Sequence, residues 1–303
     1  MSIPPSSTEI IEVSPRDGIQ NEQTLLSLQT KLELITRAIA AGARRLEVTS
    51  FVNPARVPQM ADAAELADML PQGPARYIGL ALNAKGFQRA LDARLHEVNF
   101  VLVATDTFSL RNQNMTTADA LALWSDLGTD PHGRLTIGAA FGCPFEGEVP
   151  LPKLLKIVEL AMHTNPPGLR IGELALADTI GVATPHDITA RVTAIRREHP
   201  HTKIRLHLHN TRNTGIANAW AGLLAGATAF DASMGGVGGC PFAPKATGNI
   251  ATEDLAYMLH RSHIQTGYDL DACIETALWL ESQLGHPVPG MVMKAGPFPA
   301  KPA

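Results

Sequence analysis

Short apolar runs alternate with longer amphipathic stretches from one end of the chain to the other. Apolar runs bounded by turn residues read as strands, and apolar residues at three- and four-residue spacing read as helices. Glu9–Val13 is the first expected strand, ending at Ser14-Pro15-Arg16-Asp17-Gly18. Leu25, Leu28, Leu32, Ile35 and Ile39 form one stripe of a helix over Thr24–Ala41, with Gly42 as its stop. Arg44–Thr49 is the second strand, followed by a helix over Val57–Leu70 with Pro58 in its first turn. Arg76–Leu82 (strand), Ala84–Ala93 (helix) and Glu97–Ala104 (strand) follow, then a polar loop to Met115 and a helix over Thr116–Leu127. The second half repeats the alternation. Strands are expected at Arg134–Phe141, Arg170–Ala177, Ile204–His209 and Ala227–Ala232, and helices at Pro152–His163, Pro185–Arg197, Asn213–Ala225 and Ala251–Leu259. A helix over Ile274–Leu284 and a proline-rich tail from His286 complete the chain.

Eight strand–helix units in roughly 260 residues are the count and length of a (β/α)₈ barrel. A doubly wound sheet also alternates, but the count of eight and the lack of a GxGxxG after the first strand favour the TIM barrel. With no composition break or long linker, residues 5–260 are expected to form the barrel. Residues 261–303 then form a C-terminal helical extension of the same domain.

Composition narrows the class. The chain has 303 residues and 45% hydrophobic content, enough for a large core. A net charge of -4 provides no footprint for nucleic acid, and the absence of a long apolar run argues against a membrane span. The first residues, MSIPPSSTEI, lack the marks of a signal or transit peptide. Three cysteines, Cys143, Cys240 and Cys273, are too few for a disulfide framework. The expectation is a cytoplasmic protein with reduced thiols. A homo-oligomer is compatible with the stretch after Leu259, which offers a surface for a partner.

In such a barrel the active site lies at the C-terminal ends of the strands. Those ends carry Arg16 and Asp17, Glu47 and Thr49, Asp178, and His207 with His209. Side chains two apart on a strand share a face, so the two histidines of Lys203-Ile204-Arg205-Leu206-His207-Leu208-His209 converge. Glycine-rich Gly235-Gly236-Val237-Gly238-Gly239-Cys240-Pro241 follows the eighth strand, and Gly248-Asn249 comes after it. Each piece alone has a bland reading, since HxH is often a polar face and a glycine-rich turn often only turns. Together, Asp17, His207, His209 and Asn249 make an oxygen–nitrogen–nitrogen–oxygen donor set. It suits Mg²⁺ or Mn²⁺ and also admits Zn²⁺. Arg16 beside it is a fixed fork for an oxyanion. Asp178 either orients a ligand or caps the following turn, and Glu47 is the natural orienter of Arg16. His132, His163, His186, His201 and His286 fall in expected loops or helix ends and read as solvated.

Several segments, taken in order, resemble 3-hydroxy-3-methylglutaryl-CoA lyase, a family of metal-dependent (β/α)₈ lyases. They are Ser14-Pro15-Arg16-Asp17-Gly18-Ile19-Gln20-Asn21-Glu22, Glu47-Val48-Thr49-Ser50-Phe51-Val52, Val57-Pro58-Gln59-Met60-Ala61-Asp62 and Gly142-Cys143-Pro144-Phe145-Glu146-Gly147. Ala177-Asp178-Thr179-Ile180-Gly181-Val182, His207-Leu208-His209, Gly236-Val237-Gly238-Gly239-Cys240-Pro241 and Gly248-Asn249-Ile250-Ala251-Thr252-Glu253-Asp254-Leu255 continue the match. The resemblance implies a divalent cation, Mg²⁺ or Mn²⁺, on Asp17, His207, His209 and Asn249. It implies Arg16 on the enolate oxygen of the leaving acyl-CoA and Cys240 in proton transfer. Glu47, Asp178 and Glu253 would support these residues. The implied reaction is retro-Claisen cleavage of 3-hydroxy-3-methylglutaryl-CoA, or a close 3-hydroxyacyl-CoA relative, to acetyl-CoA and a keto acid such as acetoacetate. Leucine degradation is the implied setting. A Claisen-condensing acyltransferase or an aldolase of the same branch is the alternative. A metal-dependent hydrolase would carry HxH near the first strand, and a scaffold protein would have a broken site. Where the family usually reads Asp-Thr-aromatic-Gly-Gln after the second histidine, this chain reads Asn210-Thr211-Arg212-Asn213-Thr214. Thr105-Asp106-Thr107-Phe108 and Gln23 also depart from the family pattern. These changes leave the acyl substituent open, including one with a longer or second acidic arm.

Overall fold

The computed structural model of the protein describes residues 4–127, 130–163, 172–239 and 248–299. Its strands are β1 (Glu9–Glu12), β2 (Arg45–Ser50), β3 (Arg76–Ala81), β4 (Glu97–Val103), β5 (Gly133–Gly138), β6 (Gly142–Cys143), β7 (Gly147–Glu148), β8 (Glu173–Asp178), β9 (Lys203–Leu208) and β10 (Ala229–Ala232). All but β6 and β7 are parallel and close into an eight-stranded barrel, β1-β2-β3-β4-β5-β8-β9-β10. The expected (β/α)₈ fold is therefore present. β6 and β7 pair antiparallel as a small separate hairpin that the apolar pattern did not predict.

Alternation along each strand sorts residues to two sides of the barrel wall. Leu46, Val48, Val98, Phe100, Leu102, Leu135, Ile137, Leu174, Leu176, Leu206 and Leu208 are buried in the main apolar cluster, together with helix faces. One such face is Leu34, Ile35 and Ala38 of α1 (Leu28–Ala40). Several residues between them, Glu47, Asn99, Thr136 and His207, are polar and buried. Arg45 donates to Glu173 Oε2 at 2.7 Å and to Glu97 Oε1 at 3.0 Å. Arg205 donates to Thr136 Oγ1 at 3.2 Å, Thr136 to Asn99 Oδ1 at 2.8 Å, and Asn99 to Glu47 Oε2 at 2.8 Å. A hydrogen-bonded network thus fills the barrel interior and reaches up to Glu47. Breaking one such buried ion pair typically costs about 3–5 kcal/mol, so this network holds the inward side chains in one arrangement.

Several expected boundaries move. The first helix begins at Leu28, because Ser27 accepts from Thr30 N as its N-cap. Leu26 N instead donates to Gln59 Oε1, and Gln59 Nε2 donates to the carbonyls of Ile19 and Thr24, so the stretch before Ser27 is tied down without becoming helical. The expected Val57–Leu70 helix is a short 3₁₀ turn, Pro58–Met60, followed by α2 (Ala63–Asp68). The expected polar loop before Met115 contains α4 (Asp106–Gln113), stopped by Asn114 in the left-handed conformation. The expected sixth barrel strand begins at Arg170, which lies outside the described residues. β8 runs from Glu173. After β10, α9 (Thr252–Arg261), α10 (Leu270–Leu284) and α11 (Val292–Ala295) follow, the last within the expected proline-rich tail. α10 lies against α1, α9 and the turn Met234–Gly236. Gly290 N donates to Gly235 O at 2.8 Å, so the C-terminal region braces the segment that follows β10. Among the described residues no helix is long and apolar enough to cross a membrane.

Candidate active site

Beyond β1 the chain enters a five-residue π-helical turn, Ser14–Gly18. Gly18 N donates to Val13 O and Ile19 N to Ser14 O, both at 3.1 Å. Such wide turns re-aim side chains and often occur at functional sites. Gly18 has no room for a Cβ, which would lie 2.7 Å from Ser233 Oγ and 2.8 Å from a Val237 methyl. The turn therefore sits tightly against the segment after β10 and carries Arg16 and Asp17 over the barrel mouth.

His207 and His209 are buried at the end of β9, with Nε2 atoms 3.2 Å apart. Asp17 Oδ2 lies 3.7 Å from His207 Nε2 and 3.8 Å from His209 Nε2. Asn249 reaches the same point by backbone pairing. His209 and Asn249 form an antiparallel bridge, with Asn210 N donating to Gly248 O at 2.9 Å and Ile250 N to Leu208 O at 3.1 Å. Asn249 Nδ2 donates to Asp17 Oδ2 at 2.8 Å and to Val237 O at 3.1 Å. Gly238, at φ 134°, packs against this amide so closely that a Cβ would collide with Nδ2.

Asp17, His207 and His209 offer ligand atoms within 4.8 Å of one another, a group that can hold a metal ion. The donor chemistry fits a divalent cation, with a carboxylate oxygen beside two imidazole nitrogens. The buried polar inventory agrees, since Asn249 Oδ1 has no hydrogen-bond partner among the described residues. Arg16 is also buried, donating to Asp17 Oδ1 at 2.5 Å and pairing with Glu47. Burial alone would raise the Asp17 carboxyl. Arg16, the hydrogen bond with His209 and the His207 ring outweigh it and hold that carboxyl well below the usual range. Burial lowers His207, but its bond to Asp231 and the charge of Asp17 prevail and leave it raised.

The supporting residues separate. Glu47 pairs with Arg16 and accepts from Asn99 Nδ2. Asp178 accepts from the backbone N–H groups of Val182 at 2.9 Å and Ala183 at 3.0 Å, so it caps the turn after β8. Glu253 lies beneath the site, accepting from Gly235 N at 3.0 Å. Cys240 lies outside the described residues. The preceding Gly239 lines the central cavity, and its carbonyl accepts from Asn21 Nδ2 at 2.8 Å. The departures at Asn210 and Arg212 are spent on structure. Asn210 Oδ1 accepts from Gly215 N at 2.9 Å, and Arg212 donates to the carbonyls of Ile180 and Gly181. Neither lines the cavity.

That cavity has a volume of about 580 Å³ and opens above Asp17, His207 and His209. One wall comes from α4 through Phe108, Arg111, Asn112 and Gln113, and Asn99, Thr136 and Asp231 line it too. The sequence pattern missed these residues. Only Phe108 and Ser109 of α4 are buried, so no apolar stripe marks it. Asp231 had a signal, a lone acid within the apolar run of β10.

A family model described as HMGL-like matches residues 7–279. The chain is 42% identical to the (R)-citramalyl-CoA lyase of Chloroflexus aurantiacus, covering 95% of this chain and 94% of that protein. It is 34% identical to a hydroxymethylglutaryl-CoA lyase of Bacillus subtilis, covering 94% of this chain and 96% of that one. The solved structure of an HMG-CoA lyase from Acinetobacter baumannii in complex with coenzyme A and 3-methylmalate matches with a TM-score of 0.91. The identity there is 37%, and the match covers 98% of each chain. The chain therefore belongs to the HMGL-like family of carbon–carbon lyases.

Proposed function

We propose that this protein cleaves a 3-hydroxy-3-methyl acyl-CoA bearing a terminal carboxylate, by a retro-Claisen reaction that releases acetyl-CoA and a keto acid. The observation that carries this reading is the convergence of Asp17, His207 and His209 within 4.8 Å, roofed by a cavity of about 580 Å³ and flanked by Arg16. Asp17, His207, His209 and the carboxamide oxygen of Asn249 would hold Mg²⁺ or Mn²⁺. When bound, such a cation supplies Lewis-acid polarisation of the substrate's oxygens.

The chain's own residues supply the rest. Asp17 takes the proton of the tertiary hydroxyl. Its carboxylate keeps lone pairs for that task, whereas His207 has Nδ1 committed to Asp231 and Nε2 to the cation. As the proton leaves, the hydroxyl carbon becomes the ketone. The electron pair of the breaking carbon–carbon bond passes to the thioester as an enolate. Arg16 stabilises the enolate oxygen with donors already fixed by Glu47 and Asp17. Cys240 delivers a proton to the enolate carbon, giving acetyl-CoA. Water is kept from the enolate by the depth of the site, where His207 and His209 are 8% and 3% exposed.

The best-supported substrates are 3-hydroxy-3-methylglutaryl-CoA and citramalyl-CoA. The second is favoured by the 42% identity to the citramalyl-CoA lyase. The two differ by one methylene between the carbinol and the carboxylate, and cleavage yields acetoacetate from the first and pyruvate from the second. Incubating purified protein and Mg²⁺ or Mn²⁺ with each thioester, and identifying the keto acid released, tests the reading. Absence of acetyl-CoA from both would sink it.

A further inference from the structure

We propose that Asp231 positions His207 for the reaction. It holds the ring by a hydrogen bond at Nδ1, so that Nε2 faces Asp17 and His209. Asp231 is the direct neighbour of His207 in the β9–β10 register, so both side chains leave the sheet on the interior side. His207 Nδ1 lies 3.1 Å from Asp231 Oδ2, and both residues are buried. A carboxylate beside a guanidinium only accepts hydrogen bonds, and Arg205 Nε stands 3.6 Å from Asp231 Oδ1. The hydrogen between Asp231 and His207 therefore sits on Nδ1, and the bond aims Nε2 at Asp17 and His209.

The two histidines differ in this respect. His209 Nδ1 is buried with no partner among the described residues, so none of them fixes that ring from behind. Its Nε2 lies 3.2 Å from that of His207. His207 is thus set in advance and His209 is not. Arg205 keeps Asp231 in place from below and is itself tied to Thr136. The chain Thr136–Arg205–Asp231–His207 links the barrel interior to the site.

The consequence for cation binding rests on the function proposed above, whereas the tautomer of His207 is a property of the metal-free protein and is read independently. The experiment uses the ¹⁵N-histidine NMR spectrum of the metal-free full chain, with His207 assigned by its loss in His207→Gln, and Mn²⁺ titration followed by EPR. At a pH high enough to keep the His207 ring neutral, the wild type should show a protonated Nδ1 and a bare Nε2. Asp231→Leu should abolish that fixed pattern and weaken Mn²⁺ binding about 10–100-fold, the usual cost of losing such an orienting partner. Asp231→Asn keeps the shape and an acceptor, so it should fold, retain the His207 pattern and lose less affinity than the leucine variant. If Asp231→Leu does not fold, a wild type whose neutral His207 carries its hydrogen on Nε2 rather than Nδ1 would overturn the proposal. An unaltered His207 pattern in a folded Asp231→Leu would do the same. A wild type that binds no Mn²⁺ removes the cation reading, while the NMR result still decides the role of Asp231.

Discussion

Asn249 donates to Asp17 Oδ2 at 2.8 Å across a sequence separation of 232 residues. The bond joins the turn after the first barrel strand to the segment that returns beside His209. Asn249→Ala removes both this bond and the one to Val237 O. The variant should remain folded, because the backbone bridge between residues 209 and 249 does not use the side chain. Its Mn²⁺ affinity should fall at least about tenfold. Unchanged affinity in an EPR titration would exclude Asn249 from the site.

Arg16 is expected to carry both stability and chemistry. Arg16→Gln leaves Glu47 buried without its cation, and unfolding experiments should show a loss of about 3–5 kcal/mol. The double variant Arg16→Gln with Glu47→Gln removes both charges and should recover most of that loss. Neither variant should recover turnover, since losing a placed oxyanion donor costs about 10²–10³-fold in kcat. A double variant that regains activity along with stability would leave Arg16 a purely structural role.

Glu253 is fully buried with no cation among its hydrogen-bond partners, and burial pushes its carboxyl up to about 8. The folded protein therefore keeps a proton that the unfolded chain releases above 4.5. Its contribution to stability is fully present below that lower value and is lost as pH rises towards about 8. Glu253→Gln keeps an acceptor for Gly235 N and cannot ionise. Denaturation midpoints between pH 5 and pH 9 should therefore show the variant gaining on the wild type as pH rises, by an amount that levels off above about 8. Parallel pH profiles would contradict this.

Cys240 directly follows a residue that lines the cavity. Cys240→Ala should lower kcat by about 10²–10⁴-fold, the range for a placed proton donor, with Mn²⁺ affinity unchanged. Wild-type turnover in that variant would remove the thiol from the reaction.

The parts of this protein that local rules govern were readable from the chain. Strand alternation alone puts His207 and His209 on one face, and the eightfold repeat puts Asp17 and the histidines at the same end of the barrel. What escaped depends on contacts distant in sequence. Thr24 to Leu26 resemble a helix start until Gln59, from another part of the chain, claims their backbone groups. Asp178 and Asp231 are both strand acids. The first satisfies the backbone of its own turn, while the second faces a histidine on the neighbouring strand. Nothing local distinguishes them, because the difference lies in which strand is the neighbour. Arg212 departs from the family pattern, and two carbonyls of the loop after β8 accept its hydrogen bonds.

The central claim is that Asp17, His207, His209 and Asn249 grip one divalent ion on which carbon–carbon cleavage depends. The most direct measurement is a Mn²⁺ titration of metal-stripped protein, with bound ion followed by EPR and acetyl-CoA release from both candidate thioesters followed in parallel. The expected result is a single bound ion per chain, with cleavage rising in proportion to occupancy and both signals lost in Asp17→Asn. Full-rate cleavage by the stripped protein, or undiminished Mn²⁺ binding in that variant, would contradict it.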